Sequence, residues 1–359
     1  MEKIESHPTS VIFNSPEEAS AATGLTTFVN AHQHQLRELY EIENLATTKN
    51  EDKMFASDDF TDFANRKKRD AKYIFLPWRN VIVKTIGEQD YYSLISNRNQ
   101  DLITSTEQNQ LRDFKVAVLG LSVGSNIARV LAQAGVSKNM VLSDFDLLDT
   151  TNLNRILGGI HQVGTPKINV IAEQILENNP YMSLTYLDEG ATISNIEPLL
   201  QNKLIDCLID EVDNLAFKIE LRKLAIKYKV PVLMVTDNGD GIVLHLERYE
   251  NGHDKIFGKD ISYWKDNAPK GKLSKQAAGK LIIENIVGGP SRVDPRMIKS
   301  VQRVISKELV SWSQLGSAAL LGGVASTFLI KQLVRGDLQQ NDIRIYLNLP
   351  SPPYKTHYD

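Results

Sequence analysis

The sequence predicts an α/β protein built on a doubly wound, mainly parallel sheet with a helical N-terminal extension. Two observations carry this. Between about residues 111 and 247, short apolar runs alternate with amphipathic helical runs, the pattern of parallel strands joined by crossover helices. The first of those runs ends in a glycine turn that opens a helix, where backbone N–H groups converge on an anion.

In chain order, the first 105 residues read as mostly helical. Ser15, Pro16 and Glu17 form a helix start and Gly24 a stop. "HQHQLRELYEIENLA" spaces Leu36, Leu39, Tyr40 and Ile42 along one helical face, and Ser57 is the N-cap of a second helix. "YIFLPWRNVIVKTI" reads as extended chain broken at Pro77. Then "KVAVLG", "NMVLSDFD", "LTYLDE", "LIDCLIDE", "VPVLMVTD" and "GIVLHLER" read as strands. "SNIARVLAQAG", "PKINVIAEQILENN" and "NLAFKIELRKLAIKYK" are the helices between them. From about 248 to 300 the pattern dissolves into a Lys- and Gly-rich stretch, expected to be a basic lid or mobile loop in which Tyr263 and Trp264 grip a substrate. Two helices and the strand "DIRIYLNL" close the chain. The expected division is 1–105 for the extension and 106–359 for the sheet domain.

Composition narrows the function. A net charge of −3 is unlike that of a nucleic-acid binder. The single cysteine, Cys207, excludes an intrachain disulfide and a Cys-rich zinc site, and fits a reducing, cytoplasmic setting. The start "MEKIESHPTS" has no apolar signal core, and no run of ~18 apolar residues suggests a membrane span. His32 and His34 face different sides of their helix and make poor joint ligands.

The turn "GLSVGS" is an incomplete Rossmann-like fingerprint. Gly120 stands first, Ser122 replaces the second glycine, and Gly124 falls one place before the third position. Asp144 ends the next strand, twenty residues after Gly124, where a ribose-binding carboxylate is expected. These residues alone allow NAD, ATP, or a packing turn that binds nothing. The polar residues downstream favour a triphosphate. "SDFDLLDTTNLNR" gathers Asp144, Asp146, Asn152, Asn154 and Arg155 past a strand end. "GTPK" adds Lys167 at a helix start, and "LIDEVDN" brings Asp213 to the same rim. Mg-ATP calls for cations spread over phosphates and a carboxylate on the metal.

The order glycine turn, "DFD", "NLNR", Lys, "DEVDN" resembles the ThiF/MoeB/HesA family of adenylyltransferases, relatives of ubiquitin-activating enzymes. Asn152 and Arg155 follow Asp144 by eight and eleven residues, as in that family's pattern. The resemblance spans roughly residues 90–247 and the last helix and strand. It implies ATP and Mg2+, and adenylation of a carboxylate on a peptide, small protein or small molecule. It places Asp144 on the ribose, with Asp146 beside it, and Asn152, Arg155 and Lys167 on the phosphates. Gly120, Ser122 and Gly124 would cradle the phosphate chain, and Asp213 would hold Mg2+. Arg98, in "ISNRNQ", is then a finger reaching a partner's ATP in a homodimer. "GLSVG" and the "PWR" of Pro77–Arg79 resemble a subgroup fused to nitroreductase-like domains. The chain departs from many relatives in having no CxxC pairs and no nucleophilic cysteine, since Cys207 falls inside an apolar strand. An NAD(P)-dependent oxidoreductase and a non-catalytic nucleotide-binding module remain the competing classes. An NAD titration separates the first, and a turnover assay the second.

Overall fold

The computed structural model describes residues 7–24, 26–44, 54–269 and 275–348. The chain forms two compact units.

The first unit comprises residues up to Arg112 together with 132–138 and 172–182. Its elements are β1 (Val11–Phe13), α1 (Pro16–Thr23), β2 (Thr27–Asn30), α2 (His32–Glu43), α3 (Asp58–Lys67), β3 (Lys72–Leu76), β4 (Val81–Thr85), α4 (Glu88–Ser96) and α5 (Ser105–Asp113). The expected caps form: Ser15 Oγ accepts from the Glu18 N–H at 3.1 Å and Ser57 Oγ from that of Phe60 at 3.2 Å. Leu36, Leu39 and Tyr40 of α2 are buried with Phe63 and Ile86, as their spacing predicts. The unit is less helical than expected, because a four-stranded sheet runs through it in the order β1-β3-β4-β2. Strands β3 and β4 are the extended chain foreseen around Pro77. The edge strands β1 and β2 are three and four residues long and mostly exposed, so no apolar alternation announced them. The "PWR" turn ties this unit together: Trp78 Nε1 donates to Glu177 at 2.7 Å, and Arg79 forks the same carboxylate at 2.7 and 3.1 Å.

The second unit holds the large sheet. Its elements are β5 (Val116–Leu119), α6 (Val123–Gln133), β6 (Asn139–Ser143), α7 (Lys167–Asn178), β7 (Ser183–Leu187), α8 (Ile193–Gln201), β8 (Cys207–Asp210), α9 (Leu215–Tyr228), β9 (Val232–Asp237), β10 (Gly241–Glu247), β11 (Lys255–Ile256), β12 (Lys259–Asp260), α10 (Ile261–Asn267), α11 (Lys275–Leu281), α12 (Pro295–Ile305), α13 (Gly316–Arg335) and β13 (Asp342–Asn348). The ends of α6 and α7 belong to the first unit. The strand order is β13-β10-β9-β8-β5-β6-β7. Strands β9 to β7 in that order are parallel, and β10 and β13 add antiparallel at one edge. The central strands β5 and β8 are buried along their whole length, which is why they read as continuous apolar runs. From β5 the chain winds first to β6 and β7, then returns to β8 and β9. The crevice beyond the C-terminal ends of β5 and β8 is therefore the switch point of the sheet.

The first part of the stretch after β10 is packed, where its composition suggested a loose lid. Ile256, Phe257 and Trp264 are buried with Leu215, Ile219 and Met234. Trp264 is wholly buried and its Nε1 donates to the Ile256 carbonyl at 2.9 Å, so it is a core residue and not a substrate grip. Tyr263 stays exposed beside it. Lys270 and Lys272 of the expected lid, and the tail "SPPYKTHYD", lie outside the described residues. Among the described residues, α13 is long and apolar enough to cross a membrane by length and composition, a match the residue count did not foresee. Its inner face carries Ala318, Ala319, Gly322 and Ser326 and is buried, and Gly322 packs on Val235 of β9, as in a core helix.

Candidate active site

The glycine turn is shaped by its neighbours. Gly120 has φ of +93°, and a Cβ there would lie 2.6 Å from the Glu211 carbonyl oxygen. Only glycine combines that conformation with that approach. Gly124 lies inside α6, where a Cβ would press on Val118 at 2.9 Å, so its role is close packing of helix on strand. Asp144 anchors the turn to the next strand end. Its carboxylate accepts from the Leu121 N–H at 2.6 Å and the Asp146 N–H at 2.8 Å. Burial raises the Asp144 carboxyl above the usual range, against those two N–H bonds and the charge of Lys167.

The two candidate phosphate cations are each held by a named partner. Arg155 Nε donates to Ser122 Oγ at 3.0 Å, and Nη1 donates to the Thr151 carbonyl at 3.2 Å and to Asn154 Oδ1 at 3.0 Å. Nη2 has no hydrogen-bond partner among the described residues. Ser122, expected in the phosphate cradle, thus also positions the arginine. Lys167 is buried, with Nζ 2.7 Å from Asp146 Oδ2. Asn152 Oδ1 accepts from the Asp149 N–H at 3.0 Å in a reciprocal cap of the short turn before Arg155, so this oxygen shapes the loop.

Asp213 is exposed beyond β8 and has no hydrogen-bond partner among the described residues. Burial holds the Arg155 guanidinium below its usual value, against the opposing charges of Asp237 and Asp213. Among the described residues, no three His, Cys, Asp or Glu side chains cluster as a metal site. Asp210, three residues before Asp213, is different: it is fully buried, 2.6 Å from Arg222 and 3.0 Å from Lys218. Burial pushes its carboxyl up, but Lys218 and Arg222 more than cancel this and hold it below the usual range. Arg222 also binds Glu247 at 2.5 Å and stacks on Phe257. These residues form a structural ion network under the rim. Cys207 is wholly buried, and burial pushes its thiol up. Arg98 lies exposed in the turn Asn97–Asn99 of the first unit.

Sequence reading overlooked two residues at this rim. Asp237 ends β9 as Asp213 follows β8, and the rule that strand ends carry ligands could have found it. Gln314 has no motif at all. Its amide donates to Asp237 Oδ2 at 3.2 Å, and its carbonyl accepts from Asn154 at 2.8 Å across 160 residues of sequence.

The ThiF family profile matches residues 95–284, more than half of the chain. The chain belongs to the ThiF family. It therefore carries a ThiF-type domain, on the α/β fold that the sequence predicts. This ThiF-family chain is 34% identical over 139 residues to a tRNA threonylcarbamoyladenosine dehydratase of Bacillus subtilis, covering 38% of the chain and 54% of that protein. It is 30% identical over 128 residues to a molybdopterin-synthase adenylyltransferase of Escherichia coli, covering 35% and 50%. It spans about half the length of both. It spans 24% of an uncharacterised Mycobacterium tuberculosis protein to which it is 35% identical over 179 residues, half of this chain. The crystal structure of PaaA shares the fold, with a TM-score of 0.51 and 18% identity over 73% of this chain and 77% of that one.

Proposed function

We propose that this ThiF-family protein activates a carboxylate by attack on the α-phosphate of ATP, forming an acyl-adenylate and releasing pyrophosphate. The observation that carries this reading is Arg155. Ser122, Thr151 and Asn154 hold its guanidinium at the switch-point rim while Nη2 meets no partner among the described residues, and Asp237 and Asp213 balance its charge. A cation fixed on one edge and open on another is preorganised for a phosphate oxygen.

In this reading Lys167 exchanges its Asp146 bond for a phosphate contact, and Asn152 shapes the loop that presents Arg155. Asp144 holds the ribose. Asp213 holds Mg2+, which would neutralise charge as pyrophosphate departs. Catalysis is positioning and charge, with no covalent step on the protein. Cys207 is buried beyond reach, so the acyl group passes directly to a nucleophile on another molecule or on the substrate itself. The substrate class is a peptide or small-protein carboxylate, terminal or on a side chain. The dehydratase relative raises an RNA-borne carboxylate as a second reading, but a net charge of −3 speaks against an RNA partner. Arg98 acts on the partner's site in a homodimer.

Calorimetry tests the nucleotide. Mg-ATP is expected to bind more tightly than NAD, and Asp213→Ala to remove the Mg2+ dependence while leaving the circular dichroism spectrum unchanged. NAD bound and ATP ignored would remove adenylation. An ATP-dependent mass increment of one AMP on a lysate peptide or protein would identify the substrate.

A further inference from the structure

Asp237 is out of place beside a polyphosphate site. Its Oδ1 is shut off from solvent and meets no hydrogen-bond donor. Its Oδ2 has the Gln314 amide at 3.2 Å. A half-buried carboxylate with one oxygen sealed off and unpaired calls for an explanation. The cation that balances it is Arg155. The other titratable groups near this end of β9 are acidic. Burial pushes the Glu211 carboxyl, just after β8, well above the usual range, and the charges of Asp210 and Asp237 add to that. Asp213 acts on Arg155, Asp240 accepts from the Ser317 hydroxyl at 2.7 Å, and Asp294 packs on Gly239.

Phosphate binding at Arg155 changes the charge balance at this carboxylate. A triphosphate drawn to Arg155 takes over the positive charge that balanced Asp237 and adds negative charge of its own. Mg2+ would be held by Asp213, whereas Asp237 Oδ1 is shut off from solvent. An aspartate left with no counter-charge in a buried position protonates. Gln314 suits both states. Its amide N–H donates to the carboxylate, and after a flip its Oε1 accepts from the carboxylic acid. Asn154 keeps the Gln314 backbone in place through either state.

We infer that Asp237 is a proton site coupled to the nucleotide: binding of Mg-ATP at Arg155 draws one proton from solvent onto Asp237. The Asp237–Gln314 pair is thus a positioning element that keeps the rim close to neutral as the triphosphate arrives. Burial already pushes the Asp237 carboxyl up to about 6 without nucleotide, so it is mostly ionised at neutral pH and able to accept the proton. The inference rests on the adenylation reading only in taking Mg-ATP as the ligand.

The test is calorimetry of Mg-ATP binding to the full chain in buffers of different ionisation enthalpy, near neutral pH. Wild type should take up close to one proton per nucleotide beyond what Asp237→Asn takes up. Its affinity should fall by up to about tenfold per pH unit above neutrality, while that of Asp237→Asn stays nearly flat. Infrared difference spectra of wild type with and without Mg-ATP give an independent readout that needs no variant: a protonated-carboxyl band should appear on binding. Mg-ATP binding with no extra uptake, or with equal uptake in Asp237→Asn, overturns the proton site and leaves adenylation standing. A folded wild type that does not bind Mg-ATP overturns both.

Discussion

Asp237 works against the stability of the fold. Its folded-state value of about 6 lies above the ~3.9 of an unfolded aspartate, so the folded protein holds this proton more tightly than the unfolded chain. The contribution is complete below about pH 4 and is lost as pH rises through about 6. Asp237→Asn should therefore melt higher than wild type at neutral pH, by up to roughly 3 kcal/mol, and equally below about pH 4. Thermal melts across that range check the sign, and a variant less stable at neutral pH would show that the ionised carboxylate is well satisfied after all. Cys207 makes the opposite point about single residues. Its position within an apolar run was enough to read it as core, and it is wholly buried.

Among the elements, the segment from β11 to α10 shows how composition misleads. Its Lys and Gly content suggested a mobile lid, yet Phe257 donates its backbone N–H to Glu247 at 2.7 Å and lies under the Arg222 guanidinium. Those partners come from β10 and α9. Local periodicity cannot reveal a short stretch held by such distant contacts. Trp264→Ala should cost about 3–5 kcal/mol in urea unfolding, the usual range for emptying a buried aromatic site. A loss under about 1 kcal/mol would restore the loose-lid reading, because a mobile loop carries little of the stability. Helix α8 was missed for another reason. It is nine residues long with Pro198 inside it, and its signal is the Thr192 cap and not a long amphipathic run.

For the whole molecule, the open question is whether one chain makes a complete site. The proposed homodimer has Arg98 serving the partner's nucleotide, as arginine fingers do. Arg98→Ala and Asp213→Ala should each be nearly inactive alone. Mixed by subunit exchange, they should recover toward half of wild-type activity per mixed dimer, because one site then has both Asp213 and a borrowed Arg98. Failure to recover, with exchange verified by native mass spectrometry, would confine Arg98 to its own chain.

The sequence by itself determined the sheet. β5, β6, β8 and β9 are recognisable from apolar runs alternating with helices, because parallel strands buried on both faces need continuous apolar residues. It also offered Asp144, Arg155, Lys167 and Asp213 as candidates, because their order and spacing resemble the ThiF family's pattern. Tertiary structure alone decided which groups these residues meet. Ser122, expected in the phosphate cradle, accepts from Arg155 Nε. Asp146 pairs with Lys167, and Asp210 belongs to a buried ion network. Gln314 reaches Asp237 from the far end of the domain. Hydrogen bonds and ion pairs act over about 3 Å in space and carry no trace of separation along the chain. The rim's donors and acceptors are therefore matched only once the sheet has folded and α13 has docked on β9 and β10.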